Sequence, residues 1–296
     1  MTTVVVIVRI ARQGDGAATR TVTVVRGVSG TAPEGSRPLD VSARPTVTST
    51  PTTAPVVGAT GILSAAAVRR YLAGRKGNVT AAIYDIATGS TSVWRPGVVQ
   101  YAASIVKVEI LATLLDQFED QGHPLSSREA SLAARMIEQS DNTATDALWT
   151  EAGGEGGVAG FGRSLGLAAT IPGTGLRWGY TKTTAADQVT LLKALVLQES
   201  VLQTAARNYA LGLMQHVDKD DAWGISAGVG RGIEVALKNG WLSVDDDAWQ
   251  VNSIGWVNGQ DRNYVVAILT DSDPTEGYGI QTIQGLSSLI WANSSH

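Results

Sequence analysis

A serine and a lysine three residues apart, Ser104 and Lys107, have the residue types and the spacing for nucleophilic chemistry. At the start of a helix these side chains lie on one face, so the amine can reach the hydroxyl. The surrounding run, residues 101–115, is apolar on nearly every side, which indicates a helix buried in the interior. Burial disfavours the charged ammonium and favours a neutral amine that accepts a proton. A structural alternative is that Ser104 caps the helix and Lys107 extends outward.

Length and composition restrict the classes of function. The 296 residues suffice for one large domain or two smaller ones, with a mixed α/β protein as the natural expectation. The formal charge of −4 offers no basic surface for nucleic acid or anionic membranes. These residues include no cysteine, which excludes disulfides, thiolate metal sites, a catalytic thiol and a lipid-bearing cysteine within them. The three histidines lack a metal-ligand spacing, so we expect no metal and no cofactor.

The first sixty residues differ in composition from the rest. Residues 1–28 contain two β-branched runs about a Gly-rich turn, which predicts a β-hairpin. A targeting remnant is the alternative, although the start is not basic, no clear signal peptide is visible, and Arg9 interrupts the apolar run. Residues 29–60 are rich in Ser, Thr, Pro and Ala, which predicts an extended linker. We expect no transmembrane segment.

Residues 61–296 have the pattern of one globular domain. Besides the Ser104 helix, the predicted helices are 62–73, 126–139, 142–151, 184–197, 200–216 and 278–291, and the predicted strands are 79–86, 91–94, 233–237, 249–257 and 264–270. The Gly-rich segment 153–162 is predicted to be a flexible turn. This order predicts an antiparallel sheet of about five strands, completed from both ends of the domain and flanked by helices, with a helical subdomain at about 120–216.

Two further motifs change the interpretation of Ser104. Ser140-Asp141-Asn142 lies between two predicted helices, and Lys238-Asn239-Gly240 ends an apolar strand. Each motif alone fits a helix cap or a turn. In this order behind Ser-x-x-Lys, they resemble the signature elements of the penicillin-recognising serine hydrolases, the class A β-lactamases and penicillin-binding proteins. The resemblance covers residues 61–296 and implies an α/β (α+β) β-lactamase/DD-peptidase-like fold.

The resemblance also implies a role for each motif residue. Ser104 would be the nucleophile and Lys107 its base, while Ser140 would relay the proton to the leaving nitrogen. Asn142 would hold Lys107 and the substrate amide, and Lys238 would supply positive charge near Ser140 and a substrate carboxylate.

Backbone and binding groups complete the predicted site. In the family the backbone N–H groups at the positions of Ser104 and Trp241 form an oxyanion hole. For substrate binding we predict Asn239 and Gly240 of the strand motif, with Trp178 and Tyr180 beside it. Arg231 and Arg262 are carboxylate-binding candidates that no motif places.

Three departures from the family pattern bear on activity. Asn239 replaces the threonine of the usual Lys-Thr-Gly, and only 36 residues separate Ser104 from Ser140, about two dozen fewer than in class A enzymes. In those enzymes an Arg-Trp-Glu loop supplies the glutamate that activates the deacylating water. Here Gly179 follows Arg177 and Trp178. Losing a positioned base costs ~10²–10⁴ in rate, so we predict acylation with slow deacylation.

The expected function is a serine hydrolase or acyltransferase that forms an acyl-enzyme with an amide, ester or β-lactam, with peptidoglycan D-Ala-D-Ala peptides as the family-based substrate. Two alternatives stay open: a class A-like β-lactamase with a displaced base, and a non-catalytic module that binds penicillin or cell-wall peptides. The resemblance further implies a monomer that is secreted or associated with the cell envelope.

Overall fold

An antiparallel sheet positions the predicted site. In the computed structural model, residues 59–244 and 248–294 are described. The strands are β1 (Asn78–Asp85), β2 (Thr91–Trp94), β3 (Gln100–Tyr101), β4 (Lys182–Thr183), β5 (Glu234–Val244), β6 (Ala248–Gly259) and β7 (Arg262–Asp273). Five of them form one sheet in the order β2-β1-β7-β6-β5, and β3 pairs with β4 separately. All five strands pair antiparallel, which confirms the sheet predicted from the sequence.

The helices lie on both faces of this sheet. They are α1 (Ala66–Ala73), α2 (Val106–Gln121), α3 (Ser127–Glu138), α4 (Asn142–Glu151), α5 (Gly154–Leu165), α6 (Ala185–Val196), α7 (Thr204–Gln215) and α8 (Glu276–Asn293). Helices α1 and α8 cover one face, and α6 packs on the other, next to the helices of the predicted subdomain. The described residues therefore have the predicted arrangement of an antiparallel sheet flanked by helices.

The sheet is buried on both faces, and helix α2 is the centre of one of the two cores. In β7, Val265, Ala267 and Leu269 face the α2 side, whereas Val266 and Ile268 face α1 and α8. Every residue of α2 from Val106 to Leu115 is buried, as its apolar sequence indicates. Lys107 is therefore anchored in a rigid element.

Three predicted elements differ from the structure. The segment 153–162 is not a turn but most of α5, so that prediction was wrong. Glycine in a helix costs up to about 1 kcal/mol per residue, and here the burial of Val158 and Phe161 offsets that cost. At Gly157 a Cβ would lie 1.7 Å from the carbonyl oxygen of Ala152, so the close approach requires glycine.

Two predicted helices have different bounds in the structure. The helix predicted at 62–73 is broken at Ala65, whose ψ is 142°. The helix predicted to start at 200 begins at Thr204.

The described residues all belong to one compact unit. The predicted hairpin at 1–28 and all but the last two residues of the predicted linker lie outside the described residues. In the described part of the chain, no helix is long and apolar enough to span a membrane.

A buried carboxyl, Glu109, lies two residues after Lys107 in α2. Its side chain is fully buried, and neither oxygen has a hydrogen-bond partner among the described residues. Gly162 of α5 approaches it closely, because a Cβ there would lie 3.2 Å from the Glu109 Oε1 atom. Burial, and secondarily the charge of Asp187, raises the pKa of Glu109 to about 8. Glu109 is thus protonated in the folded protein at neutral pH.

We expect Glu109→Gln to change how stability depends on pH. The folded pKa exceeds the ordinary value of 4.5, so the folded state binds more protons and loses stability as pH rises from about 4.5 to about 8. The stability of the variant relative to the wild type should rise across that window by about 1.4 kcal/mol per pH unit. Urea unfolding at several pH values measures this, with the surface variant Glu199→Gln as a charge control. Parallel curves for wild type and Glu109→Gln would contradict the assignment.

Candidate active site

Two lysines from distant parts of the chain meet at the hydroxyl of Ser140. Lys107 Nζ donates to the Ser140 Oγ atom at 3.1 Å, and Lys238 Nζ donates to the same atom at 3.0 Å. Lys107 also donates to the Ser140 carbonyl oxygen at 2.6 Å and to Asn142 Oδ1 at 2.9 Å. The structure thus brings together the lysines and the Ser-Asp-Asn motif named from the sequence.

Both ammonium groups are destabilised by their surroundings. Burial, followed by the nearby charge of Lys238, lowers the pKa of Lys107 to about 7. Burial likewise lowers the pKa of Lys238 to about 8, against the opposing effect of Asp221. A substantial fraction of Lys107 is therefore a neutral amine near pH 7, the form that accepts a proton.

Helix α4 positions Ser140 and Asn142. Asp141 is its N-cap, accepting a hydrogen bond from the Ala144 N–H at 2.9 Å, and it pairs with Arg135. Ser140, just before the cap, has a φ of 53°, a left-handed conformation that is unfavourable for a residue with a Cβ. In this conformation the hydroxyl and the carbonyl oxygen of Ser140 both point at Lys107.

Ser104 lies in a single 3-10 turn, Ala103–Ile105, that leads into α2. Ala103 has a φ of 49°, so strained backbone also precedes the predicted nucleophile. Asn252 of β6 holds this segment, since its Nδ2 atom donates to the carbonyls of Tyr101 at 2.8 Å and Ala102 at 2.9 Å. The Ser104 hydroxyl makes no hydrogen bond to any described residue. The contact with Lys107 expected from the spacing is therefore not formed in this structure, where Lys107 binds Ser140 and Asn142.

Gly240 is where β5 passes against the Ser104 turn. A Cβ at this position would lie 2.5 Å from the Ser104 nitrogen and 2.8 Å from the Ile105 nitrogen. Only glycine permits this approach. The residue predicted to supply the second oxyanion-hole N–H, Trp241, directly follows this contact in β5.

The loop after α5 places Trp178 against Lys107. The ring centroid of Trp178 is 4.9 Å from Lys107 Nζ, and its indole N–H donates to Asp146 Oδ1 at 2.8 Å. Trp178 is buried, so it does not present a surface to a ligand. Gly179 lies beside the Ser104 turn, because a Cβ there would be 3.9 Å from the Ala103 Cα atom.

The other predicted binding residues lie in different environments. Tyr180 is half-buried, packs edge-on against Tyr101 at 5.4 Å and is stacked by Arg177. Asn239 is fully buried, and its amide donates to backbone carbonyls away from Ser104. Arg262 stacks on Trp291 at the far end of the sheet.

Sequence reasoning missed three polar residues around this site: Asn252, Asp146 and Asp221. Asn252 was detectable as an amide within the predicted strand 249–257. Asp146 is one helical turn after Asn142 and therefore shares its face of α4. Asp221 had no local signal, because its proximity to the lysines arises only from the fold. In the described part of the chain, no group of three or more His, Cys, Asp or Glu residues could hold a metal ion.

Known structures share this fold. The chain superposes on the structure of PBP-A with a TM-score of 0.66 and 20% identity, covering 76% of this chain and 94% of that one. It superposes on the TLA-1 extended-spectrum β-lactamase with a TM-score of 0.69 and 17% identity, covering 76% and 95%. It superposes on a β-lactamase from Chitinophaga pinensis with a TM-score of 0.69 and 19% identity, covering 76% of this chain and 96% of that one. The fold is thus that of class A β-lactamases and penicillin-binding proteins.

Sequence comparison identifies the family. A family model described as the beta-lactamase enzyme family matches residues 128–293. The chain belongs to this family. A curated relative from Mycobacterium tuberculosis, named "Putative lipoprotein LppW", is 26% identical over 198 residues, or 64% of this chain. The chain spans 62% of the length of that relative.

We expect Gly240→Ala to destabilise the protein by about 1–3 kcal/mol, because its Cβ would overlap backbone atoms of the Ser104 turn that cannot rotate away. Urea unfolding measures the loss. The matched control is Gly212→Ala in α7, where no atom lies within 4 Å of the added Cβ; it should be neutral or stabilising by up to about 1 kcal/mol. Equal stabilities for the two variants would refute the close approach.

Proposed function

We propose that this protein is a serine hydrolase or acyltransferase of the penicillin-recognising type, with Ser104 as the nucleophile. The observation that carries the proposal is the convergence of Lys107 and Lys238 on the Ser140 hydroxyl. Lys238 lies in β5, and two residues later Gly240 of the same strand contacts the Ser104 turn. A purely structural cluster gains little from two buried lysines, because burying each charge costs several kcal/mol.

The first step uses the lowered pKa of Lys107. The neutral amine takes the proton of the Ser104 hydroxyl as its oxygen attacks the carbonyl carbon of the substrate. The negative oxygen that develops is stabilised by the N–H groups of Ser104 and Trp241. Asn142 keeps the Lys107 amine in place through its 2.9 Å contact.

The second step returns the proton to the leaving group. Ser140 accepts from both lysines, so its own O–H is the donor that faces the substrate. It passes its proton to the leaving nitrogen or oxygen and is reprotonated by Lys107, while Lys238 supports the charge of the relay. An acyl group then remains on Ser104.

The acyl-enzyme is slow to hydrolyse in this proposal. The indole of Trp178 occupies the space beside Lys107, and its N–H binds the carboxylate of Asp146. Gly179 provides no side chain. Among the described residues, no carboxylate oxygen hydrogen-bonds to Lys107, so none is placed to activate a water together with it. The same feature favours a second candidate, a module that is acylated once and held.

We also propose the domain organisation and location given by the sequence: a hairpin at 1–28, a linker at 29–60 and the hydrolase domain at 61–296. The name of the mycobacterial relative supports a position at the cell envelope. The linker would then hold the domain away from a surface.

Intact-protein mass spectrometry with benzylpenicillin and with an activated ester tests the assignment of Ser104. We expect one acyl group per chain in the wild type and none in Ser104→Ala. Ser164→Ala, which removes an exposed hydroxyl in α5, is the matched control and should label normally. Steady release of ester product supports the hydrolase, whereas a stable adduct with no release supports the binding module. Labelling of Ser104→Ala at the wild-type rate would refute the proposal.

We expect Gly179→Glu to speed the release of the penicilloyl group by at least about tenfold, because a positioned general base is worth ~10²–10⁴. Apart from chain neighbours, only the Ala103 Cα atom lies within 4 Å of a Cβ at this position, so the described structure leaves room for the side chain. Gly179→Gln has the same shape without the base and should leave release unchanged. The half-life of the adduct is measured by mass. Equal half-lives for the two variants would show that this position does not face the acyl group.

A further inference from the structure

A loop packs against β5 and β6 next to the proposed site. We define the edge loop as residues 218–225. Asn239 fixes it, because its Nδ2 atom donates to the carbonyls of Asp221 at 2.6 Å and Trp223 at 2.9 Å. The Ile225 N–H donates to Ser253 Oγ at 3.0 Å. Gly224, with a φ of 89°, permits this contact, since a Cβ there would collide with Ser253.

These contacts leave no donor of Asn239 for a ligand. Both bonds come from the amide nitrogen, and the remaining polar atom, Oδ1, is a buried acceptor without a partner among the described residues. An acceptor repels a carboxylate. Lys238 is also fully buried, and its ammonium group is already bonded to Ser140 Oγ and to the Asn239 carbonyl oxygen at 3.1 Å.

The candidate arginines are too far along the sheet to replace these donors. Arg231 lies three residues before β5 begins at Glu234, which pairs with Asn258 of β6. The Gln260 amide donates to the Arg231 carbonyl. Arg262 donates to the Trp291 carbonyl at 3.2 Å and stacks on its ring. Both lie at the end of the β-sheet opposite Gly240.

The edge loop itself carries excess negative charge. It contains Asp218, Asp220 and Asp221 against a single lysine, Lys219. Asp221 is partly buried, and its charge acts on both Lys238 and Lys107. A carboxylate bound beside Lys238 would therefore face a like charge.

We propose that the preferred acyl donors of this protein carry no free carboxylate next to the scissile bond and are neutral esters or amides. The inference rests on the proposed acylation of Ser104 and changes its substrate class. The D-Ala-D-Ala peptides and penicillins implied by the family resemblance both end in a carboxylate, which beside Lys238 would face the charge of Asp221 and find no free donor on Asn239.

Benzylpenicillin and its methyl ester form a matched pair that differs only in this charge. The second-order rate of adduct formation on Ser104 is measured by intact mass for each and divided by the rate of its hydrolysis by hydroxide. We expect the methyl ester to react at least about tenfold faster on this scale. A free acid that reacts as fast or faster, with labelling dependent on Ser104, overturns this inference alone. Absence of Ser104-dependent adducts from both compounds overturns the proposed function.

The charge of Asp221 is tested by substitution. In Asp221→Asn the ratio of the ester rate to the acid rate should fall about five- to tenfold, because one repulsive charge is removed close to the ligand. Asp220→Asn removes the same charge from an exposed neighbour and should change the ratio less. Equal ratios in the two variants would refute the role of Asp221 in selecting neutral donors.

Discussion

The site depends on two ammonium groups that share one hydroxyl in the protein interior. Each of the two lysines loses several kcal/mol of hydration on burial, and Ser140 recovers part of that loss by accepting from both. The sheet and helix α2 hold the lysines in place, and the left-handed backbone at Ser140 aims the acceptor. Relaxing any of these would separate the charges and return the pKa of Lys107 towards its ordinary value.

Two contacts hold the sheet against the start of α2. Gly240 removes the side chain that would hold them apart, and Asn252 binds the carbonyls just before Ser104. Both contacts join segments more than one hundred residues apart. The Ser104 turn is thus fixed by the sheet, while Ser140 and Asn142 are fixed by α4. The distance between Ser104 and Ser140 therefore depends on how the sheet packs against the helical region.

Much of the frame could be predicted from the sequence because its signals are local. Alternating and apolar runs gave the five strands, and the Ser-Asp-Asn cap marked the start of α4. The helical state of residues 154–165 could not be predicted, since it depends on glycines that fit against neighbouring backbone. The orientation of Asn239 was likewise hidden, because its partners at 221 and 223 are supplied by a loop that only the fold brings to β5. Residue types identify the lysines and serines, but tertiary contacts decide which polar atoms remain free.

The position of Trp178 gives the site an internal optical reporter. Its indole lies against an ammonium group whose pKa is about 7, and an aspartate holds its N–H from the other side. A charge that close to an indole shifts the energy of its excited state. The fluorescence of Trp178, isolated as the difference between the wild type and Trp178→Phe, will therefore follow the protonation of Lys107 without any added ligand.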